Sequence, residues 1–107
     1  VTLNDPQFVE ASRALADDAL FLGGSNEDQR IDYITNRLLS RPLTEAEKPI
    51  VKKSLADLTT WYKEHPEDAQ AVITVGQSQP RYEDATTLAS WTMLTNQLMN
   101  LDEVLSK

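Results

Sequence analysis

Apolar residues recur along this chain every three or four positions, the period of helices buried along one face. In the first such segment Phe8, Ser12, Leu15, Ala19 and Leu22 share a face with Val9, Ala16 and Leu20 alongside, while Glu10, Arg13, Asp17 and Asp18 point away. Asp5 caps its start, Pro6 fills a position whose N–H would be unpaired anyway, and Gly23-Gly24 stops it. Ser25 or Asn26 caps a second helix with Ile31, Ile34 and Leu38 inward and Tyr33 and Leu39 adjacent; it closes at Arg41-Pro42.

Thr44-Glu45-Ala46-Glu47 has the capping-box spacing, which opens a third helix, expected to be the longest. Ile50, Val51, Leu55, Leu58, Trp61 and Tyr62 continue its apolar face, and Pro49 predicts a local bend or a later effective start. His65-Pro66 ends that helix and begins a shorter fourth, with Ala69, Val72, Ile73 and Val75 inward and Gly76 as its stop. Residues 77–83, with Pro80, form the one substantial loop. Asp84 then caps a fifth helix whose stripe is Leu88, Trp91, Leu94, Leu98, Leu101 and Leu105. The expected fold is all-α: a compact antiparallel or orthogonal bundle of about five helices, one domain over residues 1–107, its stripes closing over one another with no spare buried polar machinery.

Composition agrees with that reading. Hydrophobic residues make up 40% of the chain and charged ones 25%, enough apolar surface for one core. Seventeen acidic residues against ten basic ones give a net charge of −7, and no basic cluster exceeds Lys52-Lys53, which argues against nucleic acid or an anionic membrane surface as partner. A basic protein partner stays electrostatically open. The absence of cysteine excludes disulfides, thiolate chemistry and covalent haem attachment. No apolar run has membrane-spanning length, so no membrane insertion is expected, and the N-terminus lacks a signal-peptide pattern. Starting at Val1, the chain reads as a fragment or a processed product.

Candidate chemistry is sparse. His65 has no second histidine to work with; it stands among Glu64, Glu67 and Asp68, a weak carboxylate-rich metal site or simply a helix cap. The pairs Asp17/Asp18, Glu45/Glu47 and Glu67/Asp68 fall on polar faces or in first helical turns, where they oppose the helix dipole rather than serve acid–base chemistry. Gly23-Gly24-Ser25 lacks the strand, the lysine and the glycine spacing of a phosphate loop. Trp61, Tyr62 and Tyr82 form either a recognition patch or core. Arg41 either pairs with Glu47 to fix the corner between helices or binds an anion, the pairing being the better supported. No catalytic, cofactor-binding or metal-binding residue is assigned, and no cofactor.

Four segments carry a resemblance: Leu3-Asn4-Asp5-Pro6-Gln7-Phe8-Val9-Glu10-Ala11, Arg30-Ile31, Arg41-Pro42-Leu43-Thr44-Glu45-Ala46-Glu47, and the run from Trp91 through Asn96 to Glu103. Taken in order, they resemble the C-terminal domain of unknown function of planctomycete-type cytochrome c proteins, the PSD-one family. The resemblance implies a C-terminal fragment of a larger extracytoplasmic bacterial protein, periplasmic or secreted. Such proteins often carry a c-type haem domain, with a suspected link to polysaccharide breakdown. The haem-attachment cysteines are absent here, and no catalytic residue carries over. The expected function is a non-catalytic structural or interaction module, whose partners are other domains of the parent or another protein. The alternatives are an accessory part of a carbohydrate-processing enzyme and an acidic docking module for a redox partner.

Overall fold

The computed structural model describes residues 6–74 and 84–105, with side chains described over 9–74 and 84–99. Five helices follow in order: α1 (Pro6–Leu22), α2 (Glu27–Leu39), α3 (Glu47–Glu64), α4 (Pro66–Ile73) and α5 (Ala85–Leu105). There is no strand among the described residues, and the all-α expectation holds. The longest helix is α5, with 21 residues, rather than α3, with 18.

Local chemistry sets the helix ends. At the α1–α2 link the Gly23 amide donates to the Ala19 carbonyl at 2.9 Å, and Gly24 adopts φ +124°, a conformation that needs glycine. Asn26, one of the two expected caps, accepts from the Gln29 amide at 2.8 Å. The last turn of α2 ends on Ser40 in the left-handed conformation, slightly before the proline boundary. The capping box forms as expected: the Thr44 amide donates to Glu47 Oε1 at 2.9 Å, and the Glu47 amide donates to Thr44 Oγ1 at 3.2 Å. Pro49 then lies within the first turn of α3, where its missing N–H is one of the amides that has no intrahelical acceptor in any case. Asp84 accepts from the Thr86 and Thr87 amides and from the Thr87 hydroxyl, starting α5. The Asp5 cap, Val75, Gly76 and the 77–83 loop lie outside the described residues.

Helix α5 is the centre of the bundle, and each of the other four helices packs on it, α1 most extensively. Encirclement explains its composition. Leu88, Trp91, Leu94 and Leu98 are buried as the stripe predicts, but so are Ala89, Ser90, Thr92, Thr95 and Asn96 around the rest of the helix. The buried hydroxyls are satisfied within the helix: Ser90 donates to the Thr86 carbonyl, Thr92 to Leu88 and Thr95 to Trp91, at 2.7 to 2.8 Å. Ala16, Ala19 and Leu20 of α1, Ile31 and Ile34 of α2, Val51, Leu55 and Tyr62 of α3, and Ala69 and Ile73 of α4 complete the core.

Two sets of expectations fail, for one reason. Arg13 and Asp17, assigned to the solvent face, are 2% and 5% exposed, so the bundle does hold buried charged groups. Conversely Leu22, Ile50 and Trp61, assigned to inward stripes, are exposed. Periodicity gives a helix's apolar direction, whereas the arc actually covered depends on its neighbours. Among the described helices, the backbone of α1 packs on α5, α2 and α4 and is covered over a wide arc; that of α3 packs on α5 and α4, with Lys52 alone reaching Asp28 of α2, and is covered over a narrow one.

Candidate functional site

Of the four large apolar side chains exposed among the described residues, Phe21 and Leu22 end α1, while Ile50 and Trp61 stand on the outer face of α3. Ile50 is 67% and Trp61 44% exposed. Eleven residues apart, they are separated by about three turns and share nearly the same azimuth, roughly 16 Å apart along the axis. Between them Ser54, Asp57 and Leu58, with Trp61 and Gln97 of α5, line a groove of about 300 Å³. Ser54 and Leu58 are half-buried and Asp57 is exposed, so the groove has an apolar side wall and a polar rim.

At the C-terminal end of this face the Trp61 indole stacks on the His65 imidazole, centroids 4.0 Å apart and planes 16° from parallel. His65 Nδ1 lies 2.8 Å from the Trp61 carbonyl, which can only accept, so the proton sits on Nδ1 and the imidazole covers an open carbonyl of the last turn. The His65 backbone serves both helices: its amide donates to Tyr62 O, and its carbonyl accepts from Asp68 and Ala69. That is the capping role the sequence offered. Glu64, Glu67 and Asp68 are exposed, and no group of three metal-ligating side chains converges among the described residues. Tyr62 meets Trp61 edge-on but belongs to the core, where burial, and then the negative charge of Asp68, push its hydroxyl above the usual tyrosine range. Tyr82 lies outside the described residues.

Arg41 and Glu47 make the expected pair, in two-pronged geometry: Nη1 to Oε1 at 2.9 Å and Nη2 to Oε2 at 3.2 Å. The Arg41 hydrogen bonds, followed by the Thr44 backbone amide, hold the Glu47 carboxyl at about 2, well below the ordinary 4.5. One carboxylate thus serves as capping-box partner and as anchor for the α2–α3 corner. Glu45 makes a longer contact with Lys48 at 3.8 Å.

A second cavity, about 450 Å³, separates α2 from α3 over α5 and is lined by Glu27, Arg30, Leu55, Ala56, Thr59, Thr60, Thr87 and Trp91. The backbones of α2 and α3 do not approach each other, and Lys52 spans the gap to Asp28 at 2.6 Å. That pairing lowers the Asp28 carboxyl below its usual range and raises Lys52 above its own. Sequence reasoning gave Arg30 no role beyond its part in the resemblance. Its Nε donates to the Gly24 carbonyl at 3.2 Å and its Nη2 to the Leu20 carbonyl at 3.3 Å, closing the open end of α1. The available signal was a cation shortly after a glycine helix stop, the place where free carbonyls collect.

Within α1, Arg13 Nε is buried without a hydrogen-bond partner. Asp17, one turn on, is buried as well, in contrast to its expected place on a polar face. Asp18 is half-buried, and the other carboxylate pair, Glu67/Asp68, stands in the exposed first turn of α4.

No family model, curated protein or solved structure matches this chain. Among the described residues no helix is long and apolar enough to cross a membrane.

Proposed function

We propose that this domain is a non-catalytic helical interaction module of a larger extracytoplasmic bacterial protein, and that it docks through the outer face of α3. The observation that carries the reading is the Ile50–Trp61 ridge with its adjoining groove. Two large apolar side chains held in register on a rigid helix, with a concave apolar and polar surface between them, have the anatomy of a small docking site. The extracytoplasmic setting and the larger parent rest on the resemblance to the PSD-one family. The charge beside the ridge is largely matched, Glu47 by Arg41 and Asp57 by Lys53, whereas the whole chain carries −7.

The test is the double variant Ile50→Lys/Trp61→Ala in the full-length protein and in the isolated domain. Both side chains are exposed, so the isolated domain should melt within a few degrees of the parent. The full-length protein should lose assembly, seen as a smaller native mass or several-fold faster proteolysis. An unchanged native mass together with unchanged proteolysis would refute docking through this face.

A second reading, an accessory saccharide surface, is favoured by one feature. Trp61 stands half-exposed beside the hydroxyl, carboxylate and amide of Ser54, Asp57 and Gln97, groups that could hydrogen-bond a sugar ring lying on the indole. Tryptophan fluorescence titrated with soluble oligosaccharides decides it, and no change at tens of millimolar sugar would remove it.

A further inference from the structure

The groove on α3 has a specific form. Ser54, Asp57, Leu58 and Trp61 stand at positions i, i+3, i+4 and i+7 of one helix, the four-residue outline that receives a single side chain from a facing helix in knobs-into-holes packing. One turn before Ser54, on the same face, Ile50 projects 67% exposed. A single helix therefore presents both an empty hole and an apolar knob, and the two are complementary. Resting on the docking reading above, we propose that the occupant of this face is a second copy of the chain, with the two α3 helices packed antiparallel about a two-fold axis.

The register follows from the spacing. The hole is centred between Asp57 and Leu58, so placing one copy's Ile50 into the other's hole puts the axis close to Ser54, midway between knob and hole. The two-fold then repeats the contact: each Ile50 enters a hole walled by Leu58 and Trp61, and the two Ser54 side chains meet at the centre. A parallel pairing would bring Ile50 against Ile50 and leave both holes open, so the position of the hole selects the antiparallel form. Gln97 of α5 forms part of the lining, so knob depth is limited by the bundle itself.

Electrostatics points to the same face. Two chains of charge −7 repel on approach, but the charges flanking this stripe are largely matched, Glu47 by Arg41 and Asp57 by Lys53, with Glu64 as a further carboxylate near its end. The Lys53 ammonium already pairs with Asp57 at 3.2 Å, which neutralises the rim of the hole. Each copy thus offers the other a nearly neutral stripe on an otherwise acidic surface.

The area sets the strength. An 18-residue helix is about 27 Å long, and a contact stripe about 12 Å wide covers roughly 320 Å² per copy. The total of roughly 650 Å² falls below the ~1,200 Å² of standard stable interfaces, so pairing of the isolated domain is weak and visible only at high protein concentration.

The native chain has no cysteine, which makes a covalent trap clean. Ser54→Cys places a thiol at the axis, and Thr60→Cys places one on a different side of the same helix, away from the stripe. Under identical mild oxidation at about 1 mM protein, Ser54→Cys should give covalent dimer at least tenfold faster than Thr60→Cys. Adding Ile50→Lys to Ser54→Cys should reduce that rate to the Thr60→Cys level, with circular dichroism melts confirming that all variants fold. Equal rates for the two cysteines would overturn the proposal, as would cross-linking that survives Ile50→Lys. If Ser54→Cys fails to link but Ile50→Lys/Trp61→Ala still disrupts the full-length protein, α3 docks something other than its own copy, and only the two-fold pairing falls.

Discussion

The two tryptophans stand in opposite environments, and truncating each in turn tests the placement of the core. Trp91 lies on the central helix α5, is 5% exposed, and has its remaining surface on the cleft between α2 and α3. Replacing a buried tryptophan with alanine costs about 3–5 kcal/mol, the spread reflecting how far the site can relax or fill. Here the new void would be continuous with a cleft already about 450 Å³ in volume, so water can enter, which places the cost near the lower bound, about 3 kcal/mol. With an unfolding entropy of about 2.1 cal/mol/K per residue, a chain of 107 residues loses roughly 13 °C of melting temperature for that cost. Trp61, half-exposed at the end of α3, should cost under about 1 kcal/mol, a shift of less than about 4 °C. Thermal melts by circular dichroism, with Trp91→Phe as a conservative control, measure both. A Trp91→Ala melt within about 5 °C of the parent, or a Trp61→Ala shift as large as that of Trp91→Ala, would refute this assignment of the core.

Two further substitutions probe the charged groups. Glu47 has its carboxyl lowered to about 2 from 4.5, so the stability it contributes is complete above about pH 4.5 and fades as pH falls toward 2. The difference in melting temperature between the parent and Glu47→Gln should be largest near pH 5–6 and shrink toward zero near pH 2; a difference independent of pH over that span would contradict the Arg41 pairing. Arg13 keeps its Nε buried and unpaired, an arrangement that costs about 1–3 kcal/mol, so Arg13→Met, which preserves the long stem, should raise the melting temperature by a few degrees. A loss of more than about 5 °C would mean that the guanidinium contributes more through its other groups than its orphaned Nε costs.

The helix boundaries were legible in the sequence because their causes are local. Thr44 and Glu47 cap each other across three residues, Asp84 caps α5 within its own first turn, and the Arg41–Glu47 pair closes a corner only six residues long. The ridge on α3 was not legible. Val51 and Ile50 are neighbours of similar hydrophobicity, yet one is core and the other stands in solvent, because α5 covers only part of α3's apolar arc. Arg13 and Asp17 invert the same argument, as charged residues on a helix covered over a wider arc than its apolar stripe. Tyr62, weighed as part of a recognition patch, is core, while Trp61 beside it is exposed; one residue's shift along a helix is about 100° of rotation, enough to carry a side chain across the edge of the contact.

Where the surplus apolar surface falls follows from the way α5 is enclosed. A helix on which four others pack buries most of its sides, and α5 accommodates this with Ala89 and with hydroxyls turned back onto its own carbonyls, Gln97 remaining exposed beside α3. Close approach of neighbours to such a helix uses up the inward faces of α1, α2, α3 and α4. None of the described helices lies over the outer side of α3, so Ile50 and Trp61 stay uncovered by the five helices themselves. The hydrophobic gain from covering two partly exposed side chains is modest, a few kcal/mol at most at ~25 cal/mol per Å². A contact proposed there would accordingly be reversible and sensitive to a single charge, and Ile50→Lys is the sharpest probe of it, because it reverses the character of the ridge without entering the core.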